Sequence, residues 1–166
     1  MITLRAILPG DEAAMLDILT NNQVKQTYML PDFESREDAV PLFQKLVHMS
    51  ENPDFYVRGI CKENKLIGMI NQTEMESGSI ELGYVLHPNY HNHGYMTQAL
   101  KLAIDELFQQ GYHTIITGAF DTNLASIRVM EKCGMEKIEK VDMIPYRGKS
   151  HRCVYYKIEK QECGQC

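Results

Sequence analysis

The run His91-Asn92-His93-Gly94-Tyr95-Met96-Thr97 lies between an apolar, β-branched stretch and a long helical pattern. A loop that delivers several free backbone N–H groups to a helix N-terminus is a cradle for a pyrophosphate. Gly94 can take the backbone angles such a loop needs. Having no Cβ, it also lets a phosphate approach closely.

The elements that must position this loop follow from the pattern on either side. Residues 3–8 read as a strand stopped by Pro9-Gly10. Asp11 caps a helix to about Thr20, with Met15, Ile18 and Leu19 on one face. Residues 26–33 are irregular and closed by Pro31-Asp32. A second helix opens at Ser35, with Leu42, Phe43, Leu46 and Val47 at helical spacing. Pro41 lies beyond its first turn, which predicts a kink or a later start. The period then changes. Residues 55–61, 66–73 and 80–86 read as strands, the first two joined by Glu63-Asn64-Lys65 and the third ended by Pro88. Met96, Leu100, Ala103, Ile104 and Leu107 share one face of a helix closed by Gly111. A strand over 114–120, a short helix over 123–133 and two strands over 135–143 and 151–158 complete the pattern. The order βαα-βββ-α-β-α-ββ predicts an α/β domain: a mixed sheet with a central β-α-β crossover, covered by helices. It spans residues 1–160, with 161–166 as a tail. The last strand is the element that could pair across a dimer, so monomer and homodimer both stay open.

A chain of 166 residues suits one domain with a real core. With 44% hydrophobic and 23% charged residues it reads as an ordinary soluble protein. No apolar run approaches the length of a bilayer span, which argues against a membrane partner. Met1-Ile2-Thr3-Leu4-Arg5 does not open a signal peptide, so the cytoplasm is expected. A net charge of −5 without a Lys/Arg cluster argues against nucleic acid as a partner. It is compatible with a cationic substrate such as an amine, although acidity more often serves solubility. Cys61, Cys133, Cys153, Cys163 and Cys166 form neither a disulfide framework nor a metal set. Cys163-Gly164-Gln165-Cys166 has CxxC spacing but no second pair, so it reads as a frayed tail.

Three linked motifs carry a family resemblance. The first is Gly83-Tyr84 leading to Pro88. The second is Tyr90 to Ala99, with Gly94-Tyr95 and Thr97 inside it. The third is Asn123-x-x-Ser126-x-x-Val129-x-Glu131-Lys132-x-Gly134. In this order they resemble the GNAT superfamily of acetyl-coenzyme A-dependent N-acetyltransferases, and most of all the branch of ribosomal-protein N-terminal acetyltransferases. At the superfamily's Gln/Arg-x-x-Gly-x-Gly/Ala fingerprint this chain has His91, Gly94 and Met96, keeping only the central glycine.

The resemblance implies a mostly antiparallel GNAT sheet with helices on both faces, and acetyl-coenzyme A as cosubstrate without a metal. The pyrophosphate would rest on His91, Asn92, His93, Gly94, Tyr95, Met96 and Thr97. Pantetheine would lie where the strand ending near Leu86 and the strand 114–120 splay apart. There it would pair with backbone groups of Val85 and Leu86 and bond Asn123, which can also cap its helix. Tyr28, Met29, Tyr84, Tyr146 and Tyr155 would line the acceptor side.

Acetyl transfer to an amine needs a base, because an ammonium has no lone pair. Glu81 is the leading candidate, directly or through water, and His87 the second. A backbone N–H of Val85 or Leu86 would stabilise the oxyanion. Many relatives place a tyrosine where this chain has Met130. Ser126, one turn earlier, is the polar group left to face the leaving sulfur. The alternative reading is a non-catalytic coenzyme A-binding module of the same fold.

Overall fold

The apolar and β-branched runs form one seven-stranded sheet in the order β1 (Ile2–Arg5), β2 (Val57–Lys62), β3 (Lys65–Glu76), β4 (Ser79–Leu86), β5 (Thr114–Phe120), β7 (Lys149–Glu159) and β6 (Glu136–Tyr146). The computed structural model describes residues 1–162, and the expected CxxC tail, Cys163 to Cys166, lies outside the described residues. Every neighbouring pair is antiparallel except β4 and β5, which the crossover through α3 (Tyr95–Gln109) makes parallel.

Period-two alternation splits the core in two. Ile80, Leu82 and Leu86 of β4 face α3 and α4 (Leu124–Lys132), against Leu100, Leu107 and Met130. Val85 and Met69 face the other way, against Met15 and Leu19 of α1 (Glu12–Leu19) and Phe43 of α2 (Val40–Glu51). On that second face, beyond the cover of α1 and α2, Phe120, Cys153 and Tyr155 form a small cluster of their own with Ile116, Ile138, Ile144 and Tyr146.

One expectation is resolved and one changes. Of the kink and the later start that Pro41 predicts for the second helix, the structure has the later start. A 3₁₀ turn, Glu37–Ala39, precedes α2, and Pro41 falls in the first helical turn, where its missing N–H costs no bond. The last strand cannot pair across a dimer. β7 is flanked on both sides by β5 and β6, so the free edges of the sheet belong to β1 and β6.

The feature that builds the site is a pairing that stops early. β4 and β5 are in register from Ser79–Thr114 to Leu82–Thr117 and no further, although they run on to Leu86 and Phe120. The next rung would join Gly83 to Gly118. A side chain at Gly118 would meet the Tyr155 ring at 2.7 Å, so that position is closed to anything larger. Beyond this point the two strands bound a gap in the middle of the sheet.

Candidate functional site

At the mouth of the gap, Pro88–Tyr90 make a 3₁₀ turn capped by His87, whose Nδ1 accepts the Asn89 N–H at 3.1 Å. His87, the second base candidate, thus has Nδ1 engaged as a cap. The His91 N–H goes to the Pro88 carbonyl at 3.1 Å, and its Nε2 turns back to within 2.9 Å of the Leu86 carbonyl. His91 therefore braces the strand end with the groups expected at the pyrophosphate. From Asn92 through His93, Gly94, Tyr95 and Met96 to Thr97, no backbone N–H finds an acceptor among the described residues. Gly94 is the N-cap of α3 with φ +75°, and a Cβ there would meet nothing within 4 Å. Its glycine is required by backbone angle rather than by space. The loop presents a row of unbonded amides at the positive end of a 15-residue helix dipole.

Along β4 the backbone groups alternate in direction. The His87 N–H donates to Ile67, and the Val85 carbonyl points at Gly68, where a Cβ would stand 2.3 Å from it. Val85 thus serves the ladder to β3. Tyr84 and Leu86 turn their groups to the gap, so the backbone pair expected there shifts from Val85 and Leu86 to Tyr84 and Leu86. Across the gap, Asn123 caps α4 by accepting the Ser126 N–H at 3.2 Å. Its side-chain NH₂ has no partner among the described residues and remains available.

Ser126 is not alone. The Tyr84 hydroxyl lies 2.6 Å from Ser126 Oγ and 3.2 Å from the Ser126 carbonyl oxygen, bridging β4 to α4 on the α3 side of the gap. This corrects the expectation that Tyr84 lines the acceptor side. Met130 is fully buried in the core beneath. The Thr117 hydroxyl, on the last paired rung and on the same face as Tyr84, is buried without a partner.

The other face carries the base candidate. Glu81 Oε2 accepts the Thr73 hydroxyl at 2.5 Å, while Lys140 Nζ stands 3.9 Å from Oε1. The carboxylate is 16% exposed, hence reachable but sheltered. Around it rises a wall of tyrosines. Tyr155 donates to Asp142 at 2.7 Å, with Lys140 over its ring at 4.4 Å, and burial with the Asp142 bond pushes its phenol up. Tyr28 donates to Asn71 at 2.7 Å, and burial pushes its phenol up to about 12. Tyr146 ties the β6–β7 hairpin to the loop before α2: its hydroxyl donates to the Lys25 carbonyl at 2.6 Å and accepts the Leu30 N–H at 3.2 Å. Arg147 pairs with Asp32 beside it. Met29 is 52% exposed on that loop.

A family model described as an acetyltransferase (GNAT) domain matches residues 1–136. The chain belongs to the GNAT acetyltransferase family. It is 32% identical over 108 residues to the probable N-acetyltransferase YjcK of Bacillus subtilis, covering 63% of this chain and 59% of that protein. The chain therefore matches about three fifths of that relative's own length. Among solved structures it resembles RimL, a ribosomal L7/L12 α-N-protein acetyltransferase in complex with coenzyme A (TM-score 0.84, 18% identity, 95% of this chain and 93% of that one). It also resembles a Vibrio cholerae spermidine N-acetyltransferase in complex with coenzyme A and spermine (TM-score 0.79, 21% identity, 95% of each chain).

Coenzyme A fits this GNAT protein on its own geometry. The unbonded amides suit a pyrophosphate, and the gap, with the Tyr84 backbone groups and the Leu86 N–H turned to it, suits an extended amide-bearing arm. Among the described residues no group of three or more His, Cys, Asp or Glu could hold a metal ion. No described helix is long and apolar enough to cross a membrane. Sequence reasoning missed Thr73, which steadies Glu81, and the pairing of Tyr84 with Ser126. Strand alternation from Ile80 would have put Tyr84 on the α3 face and exposed the second of these.

Proposed function

We propose that the protein moves an acetyl group from acetyl-coenzyme A to a primary amine, a protein N-terminus or a small amine, by direct attack on the thioester. The observation that carries this reading is the halt of β4–β5 pairing at Leu82–Thr117. It leaves one passage through the sheet, with the amide cradle on one side and Glu81 on the other. Acetyl-coenzyme A supplies an activated acetyl group on a thiol leaving group.

The chain's own residues do the rest. The amides of Asn92 to Thr97 anchor the pyrophosphate, and Tyr84 and Leu86 align the arm like an added strand. Glu81, held by Thr73, takes the proton of the incoming amine directly or through a water. The backbone N–H of Leu86 or Tyr84 meets the carbonyl oxygen as negative charge grows on it, a contribution of about 10²–10³ in rate for a well-placed donor. Ser126 faces the departing sulfur.

The acceptor side is framed by Tyr28, Tyr146 and Tyr155. The latter two lie on the β6–β7 hairpin, beyond residue 136 where the family match ends. The choice of amine falls to this hairpin together with the segment that carries Tyr28. We also place the protein in the cytoplasm, since Cys61, Cys133 and Cys153 are free and buried, as suits a reducing compartment. It acts as a monomer or as a homodimer built on the edges of β1 or β6.

A thiol-release assay with acetyl-coenzyme A and a panel of polyamines, amino acids, aminoglycosides and peptides with free N-termini tests the reading. Release above background with at least one amine is expected. Tight coenzyme binding with no release from any of them sinks it and leaves the non-catalytic module.

A further inference from the structure

The pairing of Tyr84 with Ser126 bears on how the sulfur leaves. Ser126 has one proton and two acceptor sites. Without a partner its hydroxyl rotates freely and can spend that proton on any nearby acceptor. Tyr84 restricts it from 2.6 Å away and also lies within reach of the Ser126 carbonyl oxygen. Two arrangements are open to the pair: the first satisfies both contacts, and the second gives up the bond to the carbonyl. In one, Ser126 donates to Tyr84 and Tyr84 donates to the carbonyl. In the other, Tyr84 donates to Ser126 Oγ, and the serine proton is free to point into the gap. Growth of negative charge on a sulfur in that gap favours the second.

We propose that Tyr84 is a positioning residue that turns the Ser126 hydroxyl toward the leaving sulfur, so that the pair acts as a hydrogen-bond donor to the thiolate and not as its source of a proton. The inference rests on the acetyl-transfer reading above. Acidity decides the second half of it. A thiol titrates near about 8.5, whereas a phenol titrates near about 10 and an aliphatic hydroxyl far higher. Burial pushes the Tyr84 phenol further up. Complete transfer from either hydroxyl to a thiolate would run uphill, and donation without transfer does not. The balance is closed without a further reactant. The N–C bond forms, the C–S bond breaks with its electron pair on sulfur, the amine proton goes to Glu81 or water, and the thiolate is protonated by solvent on release. The pair also fills the role that Met130, buried and without a proton to give, cannot fill.

The test has two readouts. The first needs no acetyl transfer: the thiolate ultraviolet absorbance of bound coenzyme A is titrated against pH. A donor aimed at sulfur favours the charged form, so the bound thiol in the native protein should titrate about one unit below free coenzyme A. Tyr84→Phe, which keeps the ring, and Ser126→Ala should each abolish most of that shift. An unshifted thiol in the native protein, or an equal shift in Tyr84→Phe, overturns the proposal. The second readout is kinetic. Tyr84→Phe should lower kcat about tenfold with KM for acetyl-coenzyme A within about twofold, and adding Ser126→Ala should cost little more, because the two act as one unit. Losses that multiply would overturn the coupling. A shifted thiol in a protein that releases no thiol from acetyl-coenzyme A would keep the pair as a donor to the bound sulfur and sink the acetyl-transfer reading, and with it the role in departure.

Discussion

Thr73 Oγ1 donates to Glu81 Oε2 at 2.5 Å, across the bulged register where β3 and β4 pair. The bond leaves Oε1 to Lys140, which approaches at 3.9 Å. Glu81 is thus held in one orientation by its neighbouring strand, at the point where the two halves of the sheet part.

Glu81→Gln keeps this shape and removes the basic oxygen. With whichever amine the panel identifies, kcat should fall by about 10²–10⁴, the usual contribution of a positioned base. The affinity for coenzyme A should stay within twofold. Steady-state kinetics with calorimetric binding separates the two; a kcat within threefold of the native value would remove Glu81 from the mechanism. Thr73→Val should reproduce a part of the loss.

Gly94→Ala places a side chain where nothing obstructs it but where φ is +75°. The left-handed backbone costs an L-residue about 1–2 kcal/mol. If the helix start shifts to relieve that strain, the amide row is no longer aimed at one point. Coenzyme A should bind about tenfold more weakly by calorimetry, while circular dichroism still shows a folded protein. Native affinity would mean that the row does not hold the pyrophosphate.

Tyr146→Phe removes the hydroxyl's bonds from the hairpin to the 25–30 segment, the shortest of them to the Lys25 carbonyl and the Leu30 N–H. Hydrogen–deuterium exchange should speed up at Leu30 and its neighbours while β3 and β4 keep their protection. Unchanged exchange at Leu30 would show that the Arg147–Asp32 pair and the Tyr28–Asn71 bond keep the segment in place without it.

Thr117→Val substitutes a methyl group for a buried hydroxyl that has no partner. A buried unsatisfied polar group costs about 1–3 kcal/mol, so the variant should unfold at a higher temperature than the native protein in the absence of coenzyme. A lower melting temperature would mean that an ordered water satisfies the hydroxyl.

The sequence carried the order of elements because each has a local cause: alternation in Ile80 to Leu86, one apolar stripe from Met96 to Leu107, and glycine after α3 and α4. The cradle was legible for the same reason, since backbone amides depend on the loop and hardly on its side chains. What stayed hidden depends on geometry between elements. No pattern in a single strand says that Val85 turns its backbone to β3 while Tyr84 and Leu86 turn theirs to the gap. That follows only from the pairing of His87 with Ile67. Tyr84 and Ser126 are 42 residues apart and meet because α4 crosses the end of β4. Pro41 left a kink and a later start of α2 both open, because proline tolerates the first turn of a helix as well as it breaks a later one.

The place of β7 between β5 and β6 has a consequence for how the protein is made. On the ribosome, the cradle, the Glu81 strand and the Tyr84–Ser126 pair are all synthesised before the strand that must slot in beside β5. Until that strand arrives, β5 carries an open edge of unpaired backbone next to the apolar Phe120, the kind of edge that recruits other chains. The growing polypeptide can gather the cradle and the β4–β5 gap early, but β5 stays open until Lys149–Glu159 arrives, and a chain cut short before Lys149 should aggregate rather than persist as a folded fragment.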